Sequence, residues 1–448
     1  MALKRGDLLD VMEGGASAPE TWRVGTEYET FAYSGDGGLR LPYEAAGDGP
    51  DIHSLLTLIH DEEAGWALDH DDGFVVGLHG PGGSITLEPG GQFELSGRPL
   101  ETVYEMKSEL DQHLVRMELL SRRLGVRWCW AGMDPLSSLE QIPWMPKRRY
   151  GVMRNYLPTR GSLGIHMMKA TCTVQANLDY QHEMGMGRKL RTALGLSSIV
   201  TALFANSPLS TGTRSGRLSM RAHIWTQTDP DRCGLPPWAF DGAWPTYDRY
   251  VDYALSIPLF FIVRDGVYLD CAGLPFADFM KKGFDGHEAR LEDWHLHLST
   301  LFPDVRAKTY LETRSADCVP PHLLPALPAL WKGLLYDEDA RAAAWDLVRT
   351  WSMEDRLDHR DAASRDALAA PVPGASYPTG DLALELIQIA RYGLGRQATG
   401  ADHEDESVFL DPLQELAERG LCPALETLER LGTNPGREEI LSHYDGNR

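Results

Sequence analysis

The sequence predicts an α+β fold: a mainly antiparallel β-sheet flanked by helices, with a helical C-terminal tail. Three observations support this prediction. Several segments alternate polar and apolar residues as strands do, Gly-containing turns join some of them as hairpins, and regular strand–helix–strand alternation is missing. Polar residues recur on one side of several strands, so we expect one face of the sheet to line a cavity. The 448 residues are enough for one to three domains.

The first 131 residues contain two predicted helices and several predicted strands. Apolar residues at helical spacing predict an amphipathic helix over 50–66 and a longer helix over 100–124. Residues 74–97 predict a strand followed by a hairpin, with a Pro-Gly-Gly turn inside it. The aromatic-rich segment 127–131 predicts a further strand.

The middle of the chain combines further strands with one strongly apolar helix. Segment 143–150 is basic and interrupted by prolines, which predicts a loop. Segment 168–180 alternates as a strand, and 189–206 is apolar over so wide an arc that we expect a helix buried on several sides. Residues 259–269 predict a hairpin, and 309–314 predict a short strand.

The last part of the chain is helical in pattern, beginning near residue 330. Its clearest break in composition is the Ala-Ala-Pro-Val-Pro-Gly stretch at 369–374. We therefore expect a main domain over 1–370 and a helical C-terminal extension over 371–448.

Composition narrows the class of protein. A hydrophobic content of 43% is typical of a globular chain, and a net charge of −22 argues against nucleic acid as a partner. The sequence has no run of 18 apolar residues and no apolar stretch behind its first residues, so we expect neither a membrane span nor a secretory signal. The six cysteines are scattered without zinc-site spacing. These features predict a cytoplasmic protein.

Two pairs of glutamates are the strongest candidates for a functional site. Glu88 and Glu94 flank the Pro-Gly-Gly turn, and Glu27 and Glu29 stand two residues apart, so on a strand they share a face. Converging carboxylates repel each other unless a cation lies between them, and Mg²⁺ prefers oxygen ligands. A solvated acidic strand face is the alternative for either pair alone.

Other polar groups leave two interpretations open. Thr173, Gln175, Asn177 and Asp179 form a polar strand face that either meets solvent or faces a metal ion, a phosphate or an amino acid. The Gly-rich segment 80–84 is either a phosphate-binding turn or a plain hairpin turn.

Basic residues are the remaining candidates for the site. Glu312 and Arg314 share a strand face, as a structural salt bridge or as part of a clamp on a phosphoryl or carboxylate group. Lys147, Arg148, Arg149 and Arg154 form a basic patch that suits nucleotide phosphates or a plain surface.

Read together, these segments resemble glutamate–cysteine ligases of the plant and proteobacterial type. The likeness extends over about residues 20–336. The matching motifs are Gly25-Thr26-Glu27-Tyr28-Glu29, the segment 87–97, Met145-Pro146-Lys147 with Arg149-Tyr150, the segment 171–179, the segment 202–208, Arg221 with His223-Ile224-Trp225-Thr226, the segment 229–232, the segment 250–255, and Tyr310-Leu311-Glu312 with Arg314.

The resemblance implies a glutamine-synthetase-like fold, with the antiparallel sheet forming a funnel in a catalytic domain over 1–370. It implies an ATP- and Mg²⁺-dependent ligase that activates the glutamate γ-carboxylate as an acyl phosphate and joins it to the amine of cysteine. The small-molecule substrates would be bound by a monomer or homodimer. The implied metal-site residues are Glu27, Glu29, Glu88, Glu94, Gln175 and Glu312. The implied catalytic residues are Arg314 and Glu312. The implied substrate- or nucleotide-binding residues are Lys147, Arg149, Arg154, Asn177, Arg221 and Arg232.

The chain departs from the family pattern at several positions, among them Thr30, His166 and Ala170. These departures raise an alternative function, in which the same activation chemistry joins glutamate to a different amine in secondary metabolism.

Overall fold

The computed structural model describes residues 3–35, 38–398 and 405–446. The strands are β1 (Val24–Ser34), β2 (Ala67–Asp71), β3 (Phe74–Gly80), β4 (Gly83–Leu87), β5 (Gln92–Ser96), β6 (Val126–Cys129), β7 (Val174–Leu178), β8 (Leu209–Ser210), β9 (Thr213–Arg214), β10 (Cys233–Gly234), β11 (Phe261–Arg264), β12 (Val267–Asp270), β13 (Phe302–Pro303), β14 (Val305–Ala307) and β15 (Leu311–Thr313). The helices are α1 (Arg5–Glu13), α2 (Ile52–Glu62), α3 (Val103–Leu124), α4 (Arg148–Tyr156), α5 (Gly164–Ala170), α6 (Glu183–Leu203), α7 (Met220–Thr226), α8 (Tyr247–Ser256), α9 (Phe276–Lys282), α10 (Leu291–Ser299), α11 (Ala326–Tyr336), α12 (Glu338–Asp346), α13 (Met353–Asp366), α14 (Thr379–Gln397), α15 (Asp411–Glu418), α16 (Pro423–Leu431) and α17 (Arg437–Tyr444).

A nine-stranded sheet organises the described part of the chain. Its main path runs β14-β15-β7-β1-β5-β4-β3-β2, and β6 pairs with the far end of β1. Every neighbouring pair in it is antiparallel. The α+β class with a mainly antiparallel sheet, which the sequence predicts, is therefore confirmed.

Strand β1 lies at the centre because almost every residue in it is buried, on both faces of the sheet. Helices cover the sheet: α3 packs on β6, α11 packs on β7, and α6 packs against β14 and β15. Helix α6 is buried along nearly its whole length, as its wide apolar arc predicts. The other face of the sheet carries the polar residues.

Three segments differ from their predicted structures. Residues 164–170 form α5, because Gly164 allows the helix to start against Leu157, so the strand predicted over 168–180 is confined to β7. The basic segment after Lys147 begins α4 instead of remaining a loop. The Gly-rich segment 80–84 is the hairpin turn between β3 and β4, where Gly80 pairs with Gly83.

The C-terminal helices pack closely on the rest of the chain. The Val103 N–H, at the start of α3, donates to a carboxylate oxygen of Glu406 at 3.2 Å, and Glu406 also pairs with Lys332 at 2.7 Å. The Trp130 N–H donates to the Tyr444 carbonyl at 3.1 Å. The division at residue 370 stays a prediction. Among the described helices, none combines the length and the apolar character that crossing a membrane requires.

Candidate active site

The register of the central strands brings the predicted polar residues onto one face of the sheet. On β1, Glu27 lies opposite Gln175 of β7, and Glu29 lies opposite Glu94 of β5. Thr86 of β4 continues the row beyond Glu94 and donates a hydrogen bond of 2.7 Å to its carboxylate. Directly opposed residues share a face, so the two glutamate pairs predicted from sequence converge.

This face forms the floor of a cavity of about 390 Å³. One side of the cavity is acidic and polar. Its residues are Glu27, Glu29, Thr86, Glu88, Gln92, Glu94, Thr171, Thr173 and Gln175. The remaining wall is cationic and apolar. Its principal residues are Lys147, Arg149, Tyr150, Met153, Met167, Met168, Arg221, Trp225, Phe261, Leu296, Phe302, Arg306 and Arg314.

The carboxylates are held in an unfavourable environment. Burial, with the charges of Glu312 and Glu94, raises the pKa of Glu27 to about 7. Burial, with Glu88 and Glu94, raises the pKa of Glu29 well above its ordinary value, and burial with Glu88 raises the pKa of Glu94. Such mutual repulsion favours the binding of a cation among these groups.

The carboxylates and the Gln175 amide are oxygen donors of the type that Mg²⁺ prefers. Within residues 3–35, 38–398 and 405–446, no three His, Cys, Asp or Glu side chains are grouped closely enough to hold a metal ion. Mg²⁺ in nucleotide sites is usually held by one or two carboxylates together with substrate phosphates and water. The donor set therefore fits Mg²⁺ that arrives with a nucleotide.

Glu312 has a different environment from the other glutamates. It is fully buried behind the cavity wall, with its carboxylate 2.7 Å from Arg306 and 3.3 Å from Lys308, and it also pairs with Arg314. Burial opposes ionisation, yet these three cations lower the pKa of Glu312 well below its ordinary value. The structure thus places Glu312 as a counter-ion to cavity cations, instead of in the acidic wall expected from the sequence.

Two arginines face the glutamates across the cavity. Arg314 donates to the Gln175 side-chain oxygen at 3.0 Å and lies over the rings of Trp225 and Phe302. Arg221 is 2% exposed and donates to the carbonyl of Arg314 at 3.0 Å. Its buried Nε–H has no acceptor among the residues described, so Arg221 keeps a donor that a ligand in this cavity could use.

Basic residues also stand beside Glu88. Lys147 donates to the Leu87 carbonyl at 2.8 Å, and burial with the charge of Arg149 lowers the pKa of Lys147 to about 8. Arg149 lies over the ring of Tyr150, whose hydroxyl also donates to Leu87. The turn that carries Glu88 is therefore fixed by the basic segment, which explains why two distant motifs meet in one cavity.

Three of the predicted binding residues lie away from the cavity wall. Arg232 is fully buried. It forms an ion pair of 2.7 Å with Asp229 and donates hydrogen bonds to the carbonyls of Thr300 and Pro258. Arg154 points to the ring of Trp144 on a neighbouring groove.

Asn177, the third of these residues, contacts the site only indirectly. It donates to Glu27 at 2.9 Å, so it orients a carboxylate instead of meeting a ligand. These assignments are corrected because sequence motifs place residues near a site without showing which way their side chains point.

Sequence reasoning missed Arg306, Trp225 and the apolar wall. Arg306 stands between two apolar residues on a short strand, a pattern that equally fits a solvent-facing charge, so it carries no clear signal in the sequence. Trp225 follows Arg221 by one helical turn on α7, so the two share a face. The four-residue spacing from Arg221 could therefore have predicted that Trp225 lies in the site.

The departures at Thr30, His166 and Ala170 do not reach the cavity wall. Thr30 faces the opposite side of β1 from Glu29, is fully buried, and donates to the Cys129 carbonyl at 3.0 Å. His166 and Ala170 belong to α5, but its residues on the wall are Met167 and Met168. These three positions therefore give no support to an altered pocket.

Comparison with known proteins shows which family the chain resembles. A model of the glutamate-cysteine ligase family 2 matches residues 23–445. The chain is 41% identical over 431 residues to the chloroplastic glutamate–cysteine ligase of Nicotiana tabacum, covering 95% of this chain and 80% of the relative. It is 40% identical over 453 residues to chloroplastic glutamate–cysteine ligase B of Oryza sativa subsp. japonica, covering 98% and 87%. The likeness thus continues well past residue 336, where the sequence motifs fade.

The names of these relatives contradict one sequence prediction. They are chloroplastic enzymes, as is the relative from Arabidopsis thaliana, which is 40% identical over 435 residues. The cytoplasmic location predicted from composition is therefore wrong by this comparison. Net charge does not distinguish these compartments.

Solved structures show the same fold. A glutamate–cysteine ligase of Francisella tularensis in complex with AMP superposes with a TM-score of 0.58 at 13% identity, covering 94% of this chain and 87% of that one. A bifunctional glutathione synthetase of Pasteurella multocida gives 0.52 at 12% identity, covering 98% and 53%. The fold class expected from the resemblance is confirmed. From its sequence over almost its whole length, the chain belongs to glutamate-cysteine ligase family 2.

Proposed function

We propose that this protein is a glutamate–cysteine ligase, which couples ATP hydrolysis to the formation of γ-glutamylcysteine, the first step of glutathione biosynthesis. The observation that carries the proposal is the cavity in which four glutamates face two arginines, in a chain that is 41% identical to a glutamate–cysteine ligase. In the reaction, the γ-carboxylate of glutamate takes the terminal phosphoryl group of ATP and releases ADP. The cysteine amine then attacks the acyl carbon, loses a proton and displaces phosphate.

The acidic wall suits the nucleotide end of this reaction. Mg²⁺ held at this wall would supply positive charge that offsets the charge of the nucleotide phosphates. One or two of Glu27, Glu29, Glu88 and Glu94, with the side-chain oxygen of Gln175, would supply its protein ligands, and the nucleotide phosphates and water would supply the rest. The raised pKa values of Glu27, Glu29 and Glu94 reflect burial and mutual repulsion, and a bound cation relieves the repulsion. Lys147 and Arg149, beside Glu88, are placed to meet phosphate oxygens.

The opposite wall suits the reacting carboxylate and phosphoryl group. Phosphoryl transfer depends on positioning and charge neutralisation more than on a nucleophilic side chain. Arg314 is held in one orientation by Gln175 and Glu312, so its remaining N–H groups face the cavity. The unpaired Nε–H of Arg221 suits a substrate carboxylate. Glu312 acts by holding Arg314 and Arg306 in place.

The alternative, a ligase that uses a different amine, has little support. The apolar wall of methionine and phenylalanine side chains suits a small uncharged side chain such as that of cysteine. The sequence departures that raised the alternative lie outside the wall. Whether the protein works as a monomer or a homodimer stays a prediction.

The direct test measures ADP release by the purified protein with ATP, Mg²⁺ and glutamate, against a panel of amines that includes cysteine. We expect release that depends on cysteine and a product with the mass of γ-glutamylcysteine. Turnover with another amine and none with cysteine would replace this function with the alternative.

A further inference from the structure

A buried carboxylate that is outside the cavity lies directly behind Arg221. Asp317 is fully buried in the segment after β15. One of its oxygens accepts hydrogen bonds from the backbone N–H of Asn206 at 2.9 Å and the hydroxyl of Ser207 at 2.6 Å. The other accepts from the hydroxyl of Ser219 at 2.8 Å and lies 4.0 Å from the Arg221 guanidinium. The Asp317 carboxylate thus links its own segment to the segments of Ser207 and Ser219, and it lies beside Arg221, which lines the cavity.

The same partners fix the backbone of Arg221. Ser219 is the N-cap of α7, and its hydroxyl accepts from the backbone N–H of Ala222 at 3.1 Å. The hydroxyl of Ser207 accepts from the backbone N–H of Arg221, also at 3.1 Å. One carboxylate therefore orients the start of α7 and, by its charge, the guanidinium that α7 carries.

The chain packs so closely over Asp317 that only glycine fits at position 132. A Cβ placed on Gly132 would lie 2.4 Å from the Asp317 carboxyl carbon, so the glycine lets the chain pass directly over the carboxylate. Arg221, which lines the cavity, donates one N–H to the Arg314 carbonyl, and its Nε–H has no partner among the described residues. Asp317 and the Arg314 carbonyl therefore hold the guanidinium, and its Nε–H stays available to a ligand.

We infer that Asp317 is a positioning residue: it holds the Arg221 guanidinium at the angle that binds glutamate, without touching glutamate itself. The inference rests on the proposed function, in which Arg221 receives a substrate carboxylate. A guanidinium fixed in advance loses less rotational freedom when it binds its ligand. Removing its counter-charge should therefore weaken glutamate binding more than it slows the chemical step.

The test compares Asp317→Asn with the wild-type protein. Asparagine keeps the size and one acceptor oxygen of the side chain but removes the charge. We expect KM for glutamate to rise about tenfold or more, the effect of weakening one charged contact. KM for ATP and kcat should change by less than about threefold. An unchanged KM for glutamate, or a loss confined to kcat, would overturn the inference.

Asp229→Asn is the matched control. Asp229 also forms a fully buried ion pair, with Arg232, but that pair lies away from the cavity wall. Its substitution should lower the melting temperature and leave KM for glutamate unchanged. If both variants raise KM equally, a general loss of stability explains the effect and the inference fails.

A double-mutant cycle tests whether Asp317 acts through Arg221. In an Arg221→Lys background, Asp317→Asn should add little to KM for glutamate, because its target is already altered. Additive effects would contradict the inference. Should Asp317→Asn fail to fold, Ser207→Ala removes the hydroxyl that links Asp317 to the Arg221 backbone, and it must raise the same KM. Wild-type protein that releases no ADP with glutamate and cysteine would refute the proposed function instead.

Discussion

Glu29 and Glu94 lie directly opposite each other on neighbouring antiparallel strands, and both carboxylates are buried. Like charges in such a cross-strand pair destabilise a sheet. Thr86 and Ser96 each donate a hydrogen bond of 2.7 Å to Glu94, which offsets only part of this cost. We propose that the two groups share a cation during function. On this proposal, a substitution that removes the repulsion should raise stability and lower activity.

Glu94→Gln should make the protein more stable and nearly inactive. The amide keeps the shape and can remain hydrogen-bonded to the hydroxyls of Thr86 and Ser96, while the repulsion of Glu29 disappears. We expect a gain of about 1 kcal/mol in the free energy of unfolding and a loss of turnover of about 100-fold or more. Urea unfolding without Mg²⁺ and the ADP-release assay measure the two effects.

Glu105→Gln is the control for that experiment. Glu105 caps the start of α3 on the surface, where its carboxylate accepts from the Thr102 N–H at 2.9 Å. Its substitution should lower stability slightly and leave turnover unchanged. A Glu94→Gln protein that is both less stable and fully active would contradict the shared-cation explanation.

Glu312→Gln should act mainly on the fold. Arg306 contacts both oxygens of Glu312 at 2.7 Å, and the amide would leave this buried arginine without its counter-charge. We expect a loss of about 3 kcal/mol or more in unfolding free energy. Glu27→Gln, which removes a repelled carboxylate, should abolish turnover without such a loss. Equal stability of the two variants in urea would show that Glu312 is not the counter-ion.

Arg314→Lys should lower kcat strongly while the fold persists. Lysine keeps the charge but cannot reach Gln175 and Glu312 with a planar fork. Glu312 remains paired with Arg306 and Lys308, so stability should change little. We expect kcat to fall about 1,000-fold, the scale of an arginine that stabilises phosphoryl transfer. Arg154→Gln, outside the cavity, should keep kcat within about threefold, and a similar loss in both variants would refute the assignment.

The sequence predicted the sheet, the central helix and the convergence of the glutamates, because alternation and spacing reflect which face of an element is buried. Glu27 and Glu29 share a face by strand geometry alone, and the Pro-Gly-Gly turn returned Glu94 beside them. Long-range ion pairing could not be predicted in this way. Glu312 faces Arg306 across the β14–β15 pair, and only the register of the two strands shows that the pair is closed.

The sequence also did not predict which way side chains outside the strands point. Arg232 stands in a family motif, yet a buried partner three residues earlier, Asp229, takes its guanidinium. The start of α5 was missed because the alternation in 168–180 also fits the end of a helix. Local pattern decides the element, whereas tertiary neighbours decide whether a charged side chain meets the cavity or another charge.

Gly90→Ala should disturb the turn that carries Glu88. A Cβ at Gly90 would lie 2.2 Å from the Lys169 carbonyl oxygen, so the backbone must move. We expect a loss of about 2 kcal/mol in unfolding free energy and a higher Mg²⁺ concentration for half-maximal activity. Gly47→Ala, where nothing lies within 4 Å, is the control and should be neutral. Matching Mg²⁺ titrations of Gly90→Ala and wild type would show that the turn does not position Glu88.

His359→Gln should change how stability depends on pH. His359 is buried, with its ring nitrogens 2.7 Å from the Ser198 hydroxyl and 2.8 Å from the Thr379 hydroxyl, and burial lowers its pKa to about 4. The unfolded chain takes up a proton at this histidine below about pH 6.5, whereas the folded chain does not until about pH 4. The neutral ring therefore costs the wild type stability as pH falls through this window.

Glu27, Glu29 and Glu94, whose folded pKa values are raised, contribute the opposite trend, so the informative quantity is the difference between variant and wild type. From pH 7 to pH 5 the wild type should lose about 2 kcal/mol of unfolding free energy relative to His359→Gln, since each pH unit below about 6.5 is worth about 1.4 kcal/mol. Urea unfolding at several pH values measures this difference. His70→Gln, at an exposed position, should follow the wild-type curve. Parallel curves for His359→Gln and wild type would mean that the buried ring already accepts a proton in the folded protein, through movement of Ser198 or Thr379.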